Sequence, residues 1–295
     1  MKNLFFYLLV VLIWGSSWIG IKLQLGTVEP MASVTYRFGL ASVILLIWCH
    51  IRRLNMRFSL QEHGFMLLQG VLLFCLNYIL FYIAELHVTS GLAAVIFSTI
   101  LLMNMVNGAI FLGAAIDRMV VVGGLLGLVG ISLVFRQEIT SFSLENRGAL
   151  GAVFCVTATL FASFGNITSA RNQKHGLPIV QTNAYGMGYG ALVMLLMTVA
   201  LGKSLNFDPS PVYIGSLLYL SLFGSVIAFG CYLALIGNIG ADRAAYVTLL
   251  FPIVALLIST IWENYQWTIS SAAGVGLILL GNLWMLKRGT SKSHH

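Results

Sequence analysis

The few charged residues of this chain divide it into long uncharged runs, and their spacing limits the possible fold more than any other feature. A run of about 20 residues is enough to cross the hydrocarbon core of a bilayer as a helix. Lipid offers the backbone no hydrogen-bond partner, so such runs predict helices; membrane strands would be about half as long and would alternate polar with apolar residues. Nine runs lack Asp, Glu, Lys and Arg altogether: 3–21, 63–84, 86–116, 119–135, 148–170, 175–202, 209–241, 244–262 and 264–286. A tenth run, 30–51, contains a single charge, Arg37. The sequence therefore predicts an all-α integral membrane protein with ten transmembrane helices.

The composition excludes an ordinary soluble domain. Charged residues make up 8% of the chain and hydrophobic residues 59%, whereas soluble domains have about 25% charged residues. We therefore expect the lipid bilayer to be the main partner. The net charge is +7. The basic residues responsible for it lie mostly in the segments that connect the predicted helices, so the charge is explained by membrane topology and no nucleic-acid partner is predicted. The four cysteines form no C-x-x-C pair, and neither a metal site nor a cofactor is predicted.

Lysine and arginine are distributed unevenly between alternate connecting segments. If the N-terminus is cytoplasmic, eleven of the sixteen basic residues lie on the inner side: Lys2, Arg52, Arg53, Arg57, Arg118, Arg171, Lys174, Arg243, Lys287, Arg288 and Lys292. Four lie outside: Lys22, Arg136, Arg147 and Lys203. Cytoplasmic loops are enriched in Lys and Arg. We therefore predict a multi-pass protein of the inner (plasma) membrane with both termini in the cytoplasm.

The two halves of the chain share a series of features in the same order. The matched features are Trp14-Gly15-Ser16 with Phe161-Ala162-Ser163, Pro30 with Pro178, Tyr82-Ile83-Ala84 with Tyr232-Leu233-Ala234, and Gly123 and Gly130 with Gly274 and Gly281. We place the boundary in the polar segment 136–147, which divides the chain into 1–140 and 141–295. Five helices in each half would insert the second copy upside down. Inverted repeats of this kind build transporters with a substrate site near mid-membrane.

Four motifs, in this order, carry a family resemblance: Ile13-Trp14-Gly15-Ser16-Ser17, Tyr36-Arg37-Phe38, Ser90-Gly91-Leu92-Ala93-Ala94 and Phe251-Pro252-Ile253-Val254. Together they resemble the drug/metabolite transporter superfamily in its EamA-type branch, over about residues 4–288. The resemblance implies two EamA repeats and a cavity lined mainly by helices 1, 3, 4, 6, 8 and 9. It also implies a hinge or gating role for Pro252. Helix 4 departs from the family, because Leu101-Leu102-Met103-Asn104 stands where a proline is frequent.

Arg37 is the charged residue predicted to lie within a span, about two turns into helix 2. Ionisable residues at membrane depth are rare and mark functional sites. One interpretation is a clamp for an anion or carboxylate of the substrate. The other is a side chain that snorkels to the outer headgroups or caps carbonyl groups between helices.

Four polar residues on helices 3 and 4 form a second candidate set. Asn104 and Asn107 lie one turn apart on helix 4 and share a face, and Asn77 and Tyr78 lie at similar depth on helix 3. They either hydrogen-bond a polar substrate in a cavity or hydrogen-bond neighbouring helices. The sequence leaves both interpretations open.

Aromatic residues supply the remaining candidates for substrate binding. Trp14 stands near the middle of helix 1, away from the interfacial belt where tryptophan normally collects. It lines either a cavity or a contact between helices. Tyr82, Tyr232 and Tyr246 add aromatic surface to a cavity, or are core or belt positions.

Absent motifs narrow the function class. No Walker A motif and no H-E-x-x-H metal motif occurs, and no histidine lies well inside a predicted span; we predict neither an ATP-driven pump nor an enzyme. The favoured prediction is a secondary transporter that exports a small metabolite by alternating access. Family resemblance favours an amino acid or related compound, and drugs are the other substrate class that the family includes. The alternative is a passive facilitator or channel for small solutes. The chain is compatible with a monomer or a homodimer.

Overall fold

The computed structural model describes residues 2–24, 26–84, 87, 88, 90–140, 148–262 and 267–289, and within these ranges the chain is helical and has no strands. We number its main helices α1 (Lys2–Lys22), α2 (Pro30–Ile51), α3 (Leu60–Ala84), α4 (Ser90–Ser98 and Ile100–Leu112), α5 (Arg118–Val134), α6 (Gly148–Lys174), α7 (Ile179–Ala200), α8 (Pro211–Ile239), α9 (Ala241–Ala244 and Val247–Trp262) and α10 (Ile269–Gly289). A short helix, Arg136–Thr140, follows α5.

Among the residues that the structure describes, seven helices are long and apolar enough to cross a membrane: α2, α3, α6, α7, α8, Val95–Leu112 within α4 and Ala241–Ile258 within α9. Three further apolar helices, Lys2–Ser17, Arg118–Val134 and Ile269–Trp284, are shorter. The protein is therefore a multi-pass, all-helical membrane protein. That the three shorter helices also cross the membrane, which would make ten spans, remains a prediction.

Several helices begin at residues that satisfy the free backbone groups of a first turn. Pro30 opens α2, where proline's missing N–H costs nothing. Ser59 and Glu62 form a capping box at the start of α3. The carboxylate of Asp117 accepts a hydrogen bond from the backbone N–H of Met119 at the start of α5.

Successive helices run in opposite directions, so the molecule has two end faces. The face where α1 begins and α10 ends is called here the terminal face; there the Tyr7 hydroxyl donates to Asn282 Oδ1 at 2.5 Å. At the other end, the opposite face, the backbone N–H of Glu29 donates to Asn206 Oδ1 at 3.1 Å. This bond joins the α1–α2 connection to the α7–α8 connection.

Some of the helices matched between the two halves pack against each other as antiparallel pairs, above all α5 with α10 and α2 with α7. On α5 and α10, Gly123 faces Gly281 and Gly130 faces Gly274. A Cβ added to Gly130 would lie 2.7 Å from the Gly274 carbonyl oxygen, so only glycine permits this approach. Small residues at such contacts are typical of helix packing in membranes.

In the described part of the chain, two helices contain a π-helical segment near their middle: Val71–Leu76 in α3 and Leu220–Ile227 in α8. These helices occupy matched positions in the two halves. π-Helical turns are uncommon and are frequent at functional sites. The segment in α8 contacts both α1 and α2.

Candidate functional site

A cavity of about 130 Å³ lies among α1, α2, α3, α4, α6, α8 and α9. These include the six helices that the family resemblance implies, with α2 in addition. Its lining is mostly aromatic and aliphatic, with a few polar side chains. The lining residues are Trp14, Ser17, Ile21, Arg37, Leu73, Asn77, Tyr78, Phe81, Tyr82, Phe97, Ile100, Ala162, Asn166, Phe229, Tyr232, Thr248 and Phe251.

The cavity extends from mid-helix toward the opposite face and is closed toward the terminal face. Its lining reaches Ile21 and Tyr82, in the last turns of α1 and α3. Toward the terminal face, hydrogen bonds join α4 and α5 to the start of α9: Asn104 Nδ2 to Ala241 O at 3.1 Å, Tyr246 OH to Val120 O at 2.6 Å, and Arg243 Nη2 to Asp117 Oδ2 at 3.0 Å. We call these six residues the terminal seal.

Trp14 forms part of the cavity wall and also bonds to α8. Its indole Nε1 donates to the carbonyl oxygen of Gly224, in the π-helical segment, at 3.2 Å. Its ring packs against Phe229 and Tyr232, with centroids 5.1 and 4.9 Å away. Both interpretations of this residue hold, because one face is buried in helix packing and the residue also lines the cavity.

Arg37 is buried with 2% of its surface exposed and is among the residues that line the cavity. Its Nε donates to Ser225 Oγ in the same π-helical segment at 2.9 Å. Its guanidinium carbon lies 5.1 Å from the centre of the Tyr78 ring and 5.3 Å from that of Phe38. This position excludes a side chain extended to the outer headgroups. Tyr185 lies as far after Pro178 as Arg37 lies after Pro30, and it is therefore the matched residue of the second half. Its hydroxyl instead donates to Met56 O at 3.0 Å.

Asn77 and Asn166 present amide groups to the cavity from α3 and α6. Asn77 Nδ2 donates to Leu73 O at 3.3 Å, within its own helix. Asn166 Nδ2 donates to Tyr232 OH at 3.1 Å and to Asn104 Oδ1 at 3.5 Å. The Oδ1 atoms of both residues are buried without a hydrogen-bond partner.

The structure brings six of the nine predicted substrate-binding residues to the cavity: Trp14, Arg37, Asn77, Tyr78, Tyr82 and Tyr232. Asn104, Asn107 and Tyr246 do not line it. Asn104 and Tyr246 belong to the terminal seal, and Asn107 Nδ2 donates to Ser163 Oγ of α6 at 2.8 Å. For the two asparagines the helix–helix interpretation fits the observed contacts, and for Tyr246, which is fully buried, the core interpretation does.

Pro252 lies inside the second part of α9, next to the cavity residue Phe251. Proline has no backbone N–H, so it cannot donate to the carbonyl of Thr248 four residues earlier. Thr248 also lines the cavity. A hinge at this point would therefore move one wall of the cavity, and the gating role of Pro252 stays a prediction.

Asn166 lines the cavity but was not among the predicted site residues, although it is a polar residue of the same kind. Asn166 is a polar residue in an uncharged run, as Asn104 is, and that signal was present in the sequence. The aromatic residues Phe81, Phe97, Phe229 and Phe251 carried no such signal, because phenylalanine is equally suited to a lipid-facing or a core position.

Asn104 and Asn166 differ in their expected effects on transport. Asn104→Ala removes a bond of the terminal seal, and interhelical hydrogen bonds in membranes contribute about 0.6 kcal/mol on average. We expect a small loss of thermal stability and a smaller change in the half-saturating substrate concentration than for Asn166→Ala, because Asn104 reaches the cavity only through its hydrogen bond with Asn166. Asn166→Ala is expected to raise that concentration severalfold, since it removes a cavity wall. Transport assays and melting curves on both variants check this, and equal half-saturating concentrations would contradict it.

The comparisons with known proteins agree with this architecture. The sequence model of the EamA-like transporter family matches residues 1–136 and 149–287. Protein PagO of Salmonella typhimurium is 24% identical over 250 residues, covering 85% of this chain and 81% of PagO. An uncharacterized transporter of Archaeoglobus fulgidus is 26% identical over 283 residues, covering 95% and 97%. The uncharacterized inner membrane transporter YedA of Escherichia coli K12 is 27% identical over 251 residues, covering 84% and 79%.

A solved crystal structure of a protein superposes on this chain with a TM-score of 0.82 and covers 99% of both chains. The two sequences are 15% identical. At this identity the likeness concerns the fold alone.

Proposed function

This chain belongs to the EamA-like transporter family, and from that premise we propose that it is a secondary transporter that exports a small metabolite across the inner membrane by alternating access. The observation that carries this proposal is the cavity described above. Both halves line it, and the terminal seal closes it at one face. An arrangement that is closed at one end and extends toward the other is what one state of an alternating-access carrier requires.

We further propose ten membrane-spanning helices arranged as two inverted repeats, 1–140 and 141–295. The antiparallel contact of α5 with α10 supports this, because an in-plane two-fold axis makes matched helices antiparallel. A second antiparallel pair is α2 with α7, where Ser42 Oγ donates to Ala184 O at 2.7 Å. The matched π-helical segments of α3 and α8 add a third correspondence.

The orientation follows from the basic residues. The terminal face contains the starts of α1, α5 and α9, which carry Lys2, Arg118 and Arg243. Because Lys and Arg are enriched on the cytoplasmic side, we place this face, with both termini, in the cytoplasm. The cavity then extends toward the outer side of the membrane.

Side-specific labelling of a single cysteine tests the mechanism. Ser17→Cys changes one atom in the cavity wall, after the four native cysteines are replaced by alanine. In oriented vesicles we expect a membrane-impermeant maleimide to label this position from the outer side. Adding Arg243→Gln breaks one bond of the terminal seal. Since partly exposed ion pairs contribute up to about 1 kcal/mol, labelling from the cytoplasmic side should rise about two- to fivefold.

The control position is Leu12→Cys on the same helix, where the side chain is 57% exposed on the lipid-facing surface. It should be labelled from neither side. Equal labelling of Ser17→Cys from both sides without the Arg243 change, together with no saturable counterflow in proteoliposomes, would favour the passive facilitator. Counterflow with labelling from alternate sides would favour the carrier.

A further inference from the structure

The cavity contains a buried positive charge that the described residues do not neutralise. Its lining has one cation, Arg37, and no carboxylate among the described side chains. The ion pairs found in the described part of the chain, Lys203–Glu29 and Arg243–Asp117, do not involve it. Arg37 Nη1 has no hydrogen-bond partner. A buried charge without a counter-ion is unfavourable, so this site is suited to a bound anion.

Among the described lining residues, Asn77 and Asn166 each have an amide oxygen without a hydrogen-bond partner, and the orientation of each amide is fixed by its neighbours. Leu73 O can only accept, so Asn77 must direct Nδ2 toward it. Asn104 gives its own Nδ2 to Ala241 O, which leaves Oδ1 to accept from Asn166 Nδ2. In both cavity asparagines the free atom is therefore the carbonyl oxygen, which accepts but cannot donate. A ligand that satisfies them must supply an N–H or O–H group.

The remaining walls are apolar and mostly aromatic. Trp14, Phe81, Phe97, Phe229 and Phe251 line the cavity together with the rings of three tyrosines. Such a lining favours a flat or branched apolar body, with the few polar groups fixing its orientation.

We propose that the cavity binds a small organic monocarboxylate that also bears an uncharged hydrogen-bond donor. The carboxylate pairs with Arg37, the donor faces Asn77 or Asn166, and the apolar body lies between the rings. An α-amino acid would add an ammonium group to a cavity whose described lining offers no carboxylate, so a hydroxy acid fits better than an amino acid. This inference rests on the transport function proposed above and narrows its substrate.

Calorimetric binding to the purified protein tests the proposal with three matched probes: 3-phenyllactate, its uncharged methyl ester, and L-phenylalanine. We expect 3-phenyllactate to bind about tenfold or more tightly than either of the others. Arg37→Gln should weaken 3-phenyllactate binding on the order of 10- to 100-fold, because hydrogen bonds to charged groups contribute about 1.5–3 kcal/mol. Arg37→Lys should restore part of this loss, since lysine keeps the charge without the planar fork.

The control is Arg171→Gln, which removes a cation that packs on Phe65 outside the cavity lining. It should leave binding unchanged. The comparison of 3-phenyllactate with its methyl ester needs no variant. It therefore tests whether the cavity recognises a carboxylate even if Arg37→Gln does not fold. Equal binding of the ester, tighter binding of L-phenylalanine, or no binding of either acid would overturn the substrate class. Saturable counterflow of any other solute would then leave the transport function standing.

Discussion

Trp14→Ala is expected to weaken substrate binding about 30-fold. A well-packed aromatic residue at the centre of a binding site commonly contributes about 2 kcal/mol or more. Here the indole ring forms a cavity wall against Phe229 and Tyr232, and its N–H is bonded to Gly224 of the π-helical segment. The alanine variant loses the wall and the link between α1 and α8 together. The half-saturating concentration of a solute that shows counterflow in proteoliposomes measures this effect.

Trp48→Ala is the matched control, because this tryptophan is 49% exposed on α2 and packs with Arg52 outside the cavity. It should leave the half-saturating concentration unchanged. Trp14→Phe separates the two losses, since it keeps an aromatic wall but cannot donate to Gly224. We expect it to fall between wild type and alanine. If Trp14→Ala and Trp48→Ala have the same effect, Trp14 does not contact the substrate.

The spacing of charges predicted the helical segments well because it reports a simple physical constraint. Each charge in lipid is costly, so runs without charges coincide with helices that the structure contains. The same constraint marked Arg37, whose burial is unusual enough to be visible in the sequence. Trp14 was selected by similar reasoning, since its depth conflicts with the interfacial preference of tryptophan.

The sequence did not predict in the same way whether an individual polar side chain points into the cavity or toward a neighbouring helix. Asn104 and Asn166 lie in equally apolar runs, yet one belongs to the terminal seal and the other lines the cavity. A helix that is hydrophobic all round gives no indication of which side faces its neighbours. The rotation of α4 and α6 is set by contacts with other helices, such as the bond from Asn107 to Ser163.

The π-helical segments are another feature without a sequence signal. Leu220–Ile227 reads as an ordinary apolar run, but it provides the Gly224 carbonyl and the Ser225 hydroxyl that hold Trp14 and Arg37. Both functional side chains come from the first half and both partners from the second. The site therefore depends on how the halves pack.

That packing leads to the second large effect, on stability. Gly274→Ala is expected to destabilise the protein by about 3 kcal/mol, the upper end of the range for overpacked cores. The added methyl group would overlap the backbone carbonyl oxygen of Gly130 and lie 2.9 Å from the backbone nitrogen of Val134. Backbone atoms of α5 cannot rotate away as a side chain can, so α5 and α10 must separate along their length.

Gly276→Ala on the same helix provides the comparison, because a Cβ there meets nothing within 4 Å. Both changes add one methyl group and the same gain in helix propensity, so any difference between them reports the contact with α5. In detergent, we expect Gly274→Ala to have a clearly lower melting temperature than the wild type. We expect the melting temperature of Gly276→Ala to be unchanged. Similar melting temperatures would mean that the two helices do not meet at these glycines. The antiparallel pairing of α5 with α10, on which the inverted-repeat proposal relies, would then lose its main support.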